Sequence, residues 1–250
     1  MSGSLLNLLC LLLMRIVNFE YLAVNTNAQF FTSTGDPIPK KDRLKYLGSL
    51  LSNDARVGAE LNHRLGAARA EYDKLHKIWA HSKLSIRRKH QIFQTCVVTK
   101  LLYSLQTAWL NTAELNKLDA FQARCLRKVT GIAHSYWSRV PNQTVRETAG
   151  ATRLSHALHK QQLIYLGDIA RKPSGNVLRD TIFQPLSFDL VQPSGPRRRG
   201  RPRNTWAGKL YSEAITAAGG KQCLINVWSQ TPNAKSAWHK VVTEHCKIYR

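Results

Sequence analysis

The sequence predicts a mainly α protein: a helical bundle preceded by a short β-hairpin and followed by a basic Pro/Gly linker and a small C-terminal helical segment. Three observations carry that expectation. Apolar residues recur at alternating steps of four and three along Leu61, Leu65, Ala68, Tyr72, Leu75 and Trp79, the period of a helix with one buried stripe. Upstream, the turn residues Gly35-Asp36-Pro37-Ile38-Pro39 separate two β-prone runs, Ala28–Thr32 and Leu44–Leu47. Downstream, Pro173, Pro185, Pro193, Pro196 and Pro202 interrupt the helical pattern between Lys172 and Arg203.

Each element has a local signature. The first helix follows Asn53-Asp54, and its Arg64, Arg69, Lys74 and Lys77 lie off the apolar stripe, so they are expected on a basic outer face. The second begins near Ser85, a good N-cap. Its Ile92, Phe93, Cys96, Val97, Val98, Leu101, Leu102 and Leu105 cover most of the circumference, which predicts burial on more than one side. The third opens at Asn111 with Glu114 three residues on, a capping-box pattern, and ends at Gly131. Its stripe is Leu115, Leu118, Phe121, Cys125 and Val129, which leaves Arg124, Arg127 and Lys128 outward. Thr144 to Glu147 reads as another capping box ahead of a short helix stopped by Gly150, and a further helix is expected from Arg153 to Arg171. Beyond the linker, 204–218 and 234–248 read as helical, with Trp206, Leu210, Trp228, Trp238 and Val242 forming a satellite cluster. The resulting division is 1–20 (an apolar segment), 21–52 (hairpin), 53–171 (bundle), 172–203 (linker) and 204–250 (C-terminal segment).

Composition points to a partner. The 250 residues carry 37 Lys plus Arg against 15 Asp plus Glu, a formal net charge of +22. A compact fold with that excess repels itself unless a polyanion neutralises it. The hydrophobic share of 43% and six tryptophans exclude a disordered basic tail, because that much apolar surface offsets the entropy of ordering a core. RNA or DNA, met through the phosphate backbone, is the expected partner. The cysteines Cys10, Cys96, Cys125, Cys223 and Cys246 are odd in number and scattered, as expected of reduced thiols in an intracellular compartment. The apolar run Leu5–Met14 has the length of a secretory core but no basic residue before it and no convincing cleavage site. It is too short for a stable membrane span, and its simplest reading is a short buried helix or the start of a truncated reading frame.

Three segments, in order, resemble the region after the palm of non-LTR (LINE-type) retrotransposon reverse transcriptases. The first is Leu44-Lys45-Tyr46-Leu47-Gly48-Ser49 with Glu60-Leu61-Asn62-His63-Arg64-Leu65, similar to the family's tyrosine-leucine-glycine turn and first thumb helix. The second is Lys100-Leu101-Leu102-Tyr103-Ser104 leading to Trp109, then Leu118–Arg127 and Gly131-Ile132. The third is Arg199-Gly200-Arg201-Pro202-Arg203 with Trp206, similar to the family's glycine-arginine-proline tail. The family has glycine where this chain has Ser104, and often Gly-His where it reads Gly167-Asp168. The resemblance implies a thumb-like bundle that grips template and primer, or the element's own RNA, and has the catalytic part of a reverse transcriptase as a partner. It also implies absent catalysis: the family's palm supplies paired carboxylates for two metal ions, and here the eight aspartates stand apart.

The candidate phosphate contacts are therefore Arg64, Arg69, Lys74, Lys77, Arg124, Arg127, Lys128 and the tail Arg197, Arg198, Arg199, Gly200, Arg201, Pro202 and Arg203. In the tail, glycine permits close backbone approach, proline holds the chain extended, and arginines suit a narrow minor groove, as in an AT-hook. The same motif also suits a nuclear import signal, which makes nuclear localisation the expectation, or a solvated linker. Tyr103, Trp109, Tyr136 and Trp137 have the chemistry to stack on bases, although aromatic residues at helical spacing more often build a core. Cys223, His239, His245 and Cys246 lack the spacing of a structural zinc site, His63, His76 and His81 read as part of a polar helix face, and no cofactor is called for. Two rival readings stay open: a stand-alone AT-hook-like architectural DNA-binding protein, and a secreted or membrane-surface cationic protein.

Overall fold

The computed structural model describes residues 12–14, 19–23, 29–32, 34–54, 56–80, 82–192, 205–229 and 232–247. The chain is mainly helical, with a short antiparallel hairpin ahead of the helices. Two compact units divide it: one within Met1–Lys83, Ile92–Ser104 and Leu110–Glu114, the other within Leu84–Gln91, Leu105–Trp109 and Leu115–Arg250.

In the first unit, strands β1 (Leu12–Met14) and β2 (Phe19–Tyr21) pair antiparallel, so the described end of the N-terminal apolar run is strand rather than the expected helix. The hairpin proper is β3 (Arg43–Tyr46) with β4 (Ser49–Ser52), in the register Arg43 to Ser52 and Tyr46 to Ser49. It sits downstream of the expected one. The turn that closes it is Leu47-Gly48, with φ of 46° and 85°, whereas Phe31 and Pro37 form an isolated bridge. Positive φ at both central residues matches the right-handed twist of the flanking strands, a requirement the proline-rich segment cannot meet.

Helix α1 (Gly58–Ala80) buries Leu61, Ala68, Tyr72 and Trp79 as its period predicts, with Leu65 and Leu75 half-buried. It packs against the end of the second helical stretch. That stretch is α2 (Ile86–Ile92), a π-helical turn Phe93–Val98, and α3 (Thr99–Leu102). Its start is capped as expected, with Ser85 Oγ accepting from the amide of Arg88 at 3.3 Å. The widened π turn rotates the face, so that Phe93, Val97, Val98, Leu101 and Leu102 are all buried. Tyr72 meets Phe93 and Trp79 edge-on with centroids 6.0 Å apart in each pair.

Helix α4 (Thr112–Thr130) opens with the predicted reciprocal cap: Asn111 N donates to Glu114 Oε2 at 2.8 Å, and Glu114 N to Asn111 Oδ1 at 2.9 Å. In the second unit, α5 (Ser135–Ser138) and α6 (Asn142–Ala149) follow. The expected capping box at Thr144 is not used, because the N-cap of α6 is Pro141, three residues earlier, and Glu147 instead accepts from Gln143. Gly150 stops it with φ 65° as anticipated. Then come α7 (Leu154–Ala170), α8 (Val177–Ile182), α9 (Trp206–Ala218), α10 (Lys221–Ser229) and α11 (Ala234–Lys247). Thr205 caps α9 through Gly208 N.

The boundary expected between residues 171 and 204 is corrected by the core of this unit. Leu163, Leu166 and Ile169 of α7 share one buried cluster with Phe183, Leu210, Trp228, Trp238 and Val242. The C-terminal tryptophans are therefore no satellite. Part of the expected linker is also ordered into this core: Phe183 is fully buried, and the guanidinium of Arg179 donates to the carbonyls of Ala170, Gln184 and Ser187. A stretch with scattered proline and glycine can still order when one aromatic side chain has a hydrophobic pocket to fill. Among the described residues, no helix is long and apolar enough to cross a membrane.

Candidate nucleic-acid interface

The candidate cations separate into two physical classes. On α1, Arg69, Lys74 and Lys77 are exposed, as their positions off the apolar stripe require. Glu71 tempers this face: Lys100 donates to it at 2.8 Å and Lys74 lies 4.0 Å away, and these cations hold its carboxyl below the usual range. Arg64 belongs to the other class. It is 7% exposed, bonded through Nε to Glu60 at 2.6 Å and through a terminal nitrogen to the Gly48 carbonyl at 2.7 Å, with its guanidinium 4.6 Å from the centre of the Tyr103 ring.

This is a correction with a plain cause. Helix α1 presents Leu61, Arg64 and Ala68 on one face, and the β3–β4 turn lies against it. Glu60 Oε2 accepts from Leu50 N at 2.6 Å, the Tyr103 hydroxyl donates to the Leu47 carbonyl at 3.0 Å, and Ser49 Oγ bonds Ser104 Oγ at 2.7 Å. Arg64 is consumed in locking a hairpin to a helix, and a phosphate would have to displace Glu60 to reach it.

Arg127 is corrected in the same way. Expected outward on α4, it is 5% exposed. Its terminal nitrogens donate to the carbonyls of Ala133 and Val140 at 3.1 and 2.5 Å, to Ser138 Oγ at 3.2 Å and to Asn142 Oδ1 at 2.9 Å. The chain turns back after Gly131, and this arginine supplies a donor to the Val140 carbonyl and a second one to the Ala133 carbonyl, which Ser138 Oγ also reaches. Its neighbours Arg124 and Lys128 are exposed, as expected.

What Arg127 holds in place is the most open aromatic surface among the described residues of the second unit. Tyr136 and Trp137 are 66% and 77% exposed, set edge to face with centroids 5.0 Å apart. Arg139 follows, its guanidinium 5.9 Å from the Tyr136 ring, and its φ of 54° reverses the chain. The turn is capped by His134 Nδ1, which accepts from Tyr136 N. Two large aromatics left in water beside a cation, on the short helix α5 whose flanking backbone is pinned by a buried arginine, make a preorganised surface able to stack on flat rings. The other two aromatic candidates are more committed: Tyr103 to Leu47 and Arg64, and half-buried Trp109 to Lys209, whose ammonium lies 5.2 Å from its ring centre.

The tail, Arg197 to Arg203, lies outside the described residues. So do His81 and Cys10. Among the described residues, no group of three histidine, cysteine or acidic side chains is set to hold a metal ion.

One site was missed by sequence reasoning. Arg146 looked like the interior of a capping box, yet it lines a cavity of about 550 Å³ between α6 and the start of α7 with Gln143, Glu147, Arg153 and His156. No local pattern marks it, since the cavity forms only where residues 150–153 bring the start of α7 beside α6.

No protein-family model, curated protein or solved structure matches this chain. The class that the fold and the exposed surface define is a strongly basic, mainly helical protein, and its function is a matter of proposal.

Proposed function

We propose that this chain binds nucleic acid without catalysing a reaction on it, as the thumb-and-tail region of a non-LTR retrotransposon reverse transcriptase. The observation that carries the reading is the exposed Tyr136–Trp137 pair beside Arg139, fixed by buried Arg127, in a chain of net charge +22. Aromatic faces stack on unpaired bases and surrounding cations neutralise phosphates, so single strands and duplex ends are the natural ligands. Arg69, Lys74, Lys77, Arg124, Lys128 and the Arg197–Arg203 tail supply phosphate contacts that set position rather than sequence. The partners are RNA or DNA and the catalytic part of the enzyme.

The retrotransposon assignment has support of its own. The residues that carry the resemblance, Leu47-Gly48-Ser49, Arg64 and Tyr103-Ser104, form one network of contacts. Ser104, where the family has glycine, has φ 68°, the left-handed backbone that glycine takes without strain. The rival AT-hook reading places binding in the tail instead.

A salt titration on single-stranded and duplex oligonucleotides tests the proposal. Affinity is expected to fall linearly with the logarithm of salt, at a slope of roughly 0.9 per phosphate neutralised on duplex. Trp137→Ala should weaken single-strand binding with that slope unchanged, and deleting Arg197–Arg203 should lower the slope while leaving substantial affinity. Loss of nearly all binding with the tail, or of any preference for A·T tracts, favours the AT-hook. The absence of salt-dependent binding to RNA, DNA or a hybrid overturns the proposal.

A further inference from the structure

The cavity between α6 and α7 contains a feature that neither folding nor the aromatic surface accounts for. Arg146 is only 8% exposed, and what remains open faces the cavity. Its guanidinium donates no hydrogen bond to, and forms no ion pair with, any described residue. A cation this deep without an acceptor from the chain is costly unless water or a ligand in the open space meets it. Two carboxylates act on it through space but hydrogen-bond elsewhere: Asp119 accepts from Ser155 N at 3.0 Å and from Ser155 Oγ at 2.7 Å, and Glu147 accepts from Gln143 Nε2 at 3.0 Å.

The neighbours add positive potential. Arg153, exposed on the cavity wall, precedes the first turn of α7 and makes no capping bond, and His156 stands one turn further on. Burial pushes the Arg146 guanidinium below its usual range and the charge of Arg153 adds to this, with Asp119 and Glu147 opposing. His156 is likewise depressed, by burial first and then by Arg153. Two arginines and a histidine around an open space of about 550 Å³ form a basic wall complementary to an anion. The space is within the range of small-ligand pockets, and a guanidinium meets phosphate oxygens through paired, charge-assisted hydrogen bonds.

We infer that this cavity is a phosphate-binding site, with Arg146 as its anchoring cation and Arg153 and His156 on its wall. The site stands on its own geometry and not on the proposed function. If that function holds, the phosphate is one of the nucleic-acid backbone. If it does not, the same chemistry suits the terminal phosphate of a nucleotide.

The test is calorimetric titration of the full chain with inorganic phosphate and with a nucleoside 5′-monophosphate, at constant ionic strength set by chloride. Saturable one-to-one binding is expected, weakened roughly tenfold or more by Arg146→Gln through loss of a charge-assisted contact. Equal binding by the variant and the parent, or heats that never saturate, would mean general counter-ion screening and overturn the site. Should Arg146→Gln fail to fold, exposed Arg153→Gln reads the same loss. A single-stranded oligonucleotide without terminal phosphates then identifies the source. Competition with inorganic phosphate places a backbone phosphodiester in the cavity, and binding of the monophosphate without such competition places a terminal phosphate there. If the full chain binds no oligonucleotide at all, the proposed function fails while the site stands.

Discussion

The indole of Trp238 lies on the bare backbone of Gly167. A Cβ at position 167 would overlap Cδ1 and Nε1 of that ring and come within 3.1 Å of Cε2, while the indole Nε1 donates to the Leu163 carbonyl at 2.9 Å, one turn earlier on α7. Glycine in mid-helix normally costs stability. Here it admits the ring that fastens α11 to α7, and Trp238 is fully buried.

Gly167→Ala should therefore destabilise the protein, by about 1–3 kcal/mol through overpacking, although alanine is the better helix former by about 1 kcal/mol. Denaturant unfolding followed by tryptophan fluorescence measures it. A stabilised variant would show that the indole moves aside without loss.

The same number of arginine charges should give opposite results at Arg127 and Arg124. Arg127→Met keeps apolar volume but leaves the Val140 carbonyl and the Asn142 side chain without their donor and the Ala133 carbonyl with Ser138 Oγ alone, a loss on the order of 3 kcal/mol. Arg124→Gln, on the exposed face of the same helix, should leave stability within about 0.5 kcal/mol and reduce the salt slope of nucleic-acid binding. Paired melting curves and salt titrations of the two variants check this.

Leu47 takes φ 46° with its side chain 75% exposed. A branched side chain in left-handed backbone is strained by about 1–2 kcal/mol, and it gains little from burial in return. Leu47→Asn should raise the melting temperature, with a gain of about 0.5–1 kcal/mol, because Asn-Gly is the preferred pair in a turn with two positive φ angles. A fall would show that the Leu47 side chain makes a contact worth more than the strain.

Stability should decline as the solution is acidified through the histidine range. Burial holds His90 below its ordinary value of 6.5, and burial with Arg153 does the same for His156. Both groups are protonated more readily in the unfolded chain than in the folded one. Their contribution is thus fully present above 6.5 and is lost as pH drops through the folded values, so unfolding free energy should fall as the solution is acidified below about pH 6.5. His90→Gln should flatten that decline, and urea midpoints across the range report it.

Much of the helical architecture was legible in the residues. The stripe of α1, the Asn111–Glu114 cap, and the stops at Gly131 and Gly150 are local events, decided by side chains within four residues of one another. The candidate interface was legible only by type. Arg69, Lys74, Lys77, Arg124 and Lys128 face solvent as the period requires, but Arg64 and Arg127 occupy positions that the same wheel called outward. Their burial depends on a hairpin turn and a returning loop, whose approach no helical period encodes.

The sequence by itself determined the helices, their caps and the excess of positive charge, because these follow from backbone sterics, short-range hydrogen bonds and composition. Only the tertiary structure decided which arginines are spent inside the fold. It locked Arg64 under the Leu47-Gly48 turn, joined α7 to the C-terminal tryptophans through Gly167, and left Arg146 facing an open cavity. The physical reason is that desolvating a guanidinium is costly unless other parts of the chain, or a ligand, bring acceptors to it. Whether they arrive is a property of the packed molecule.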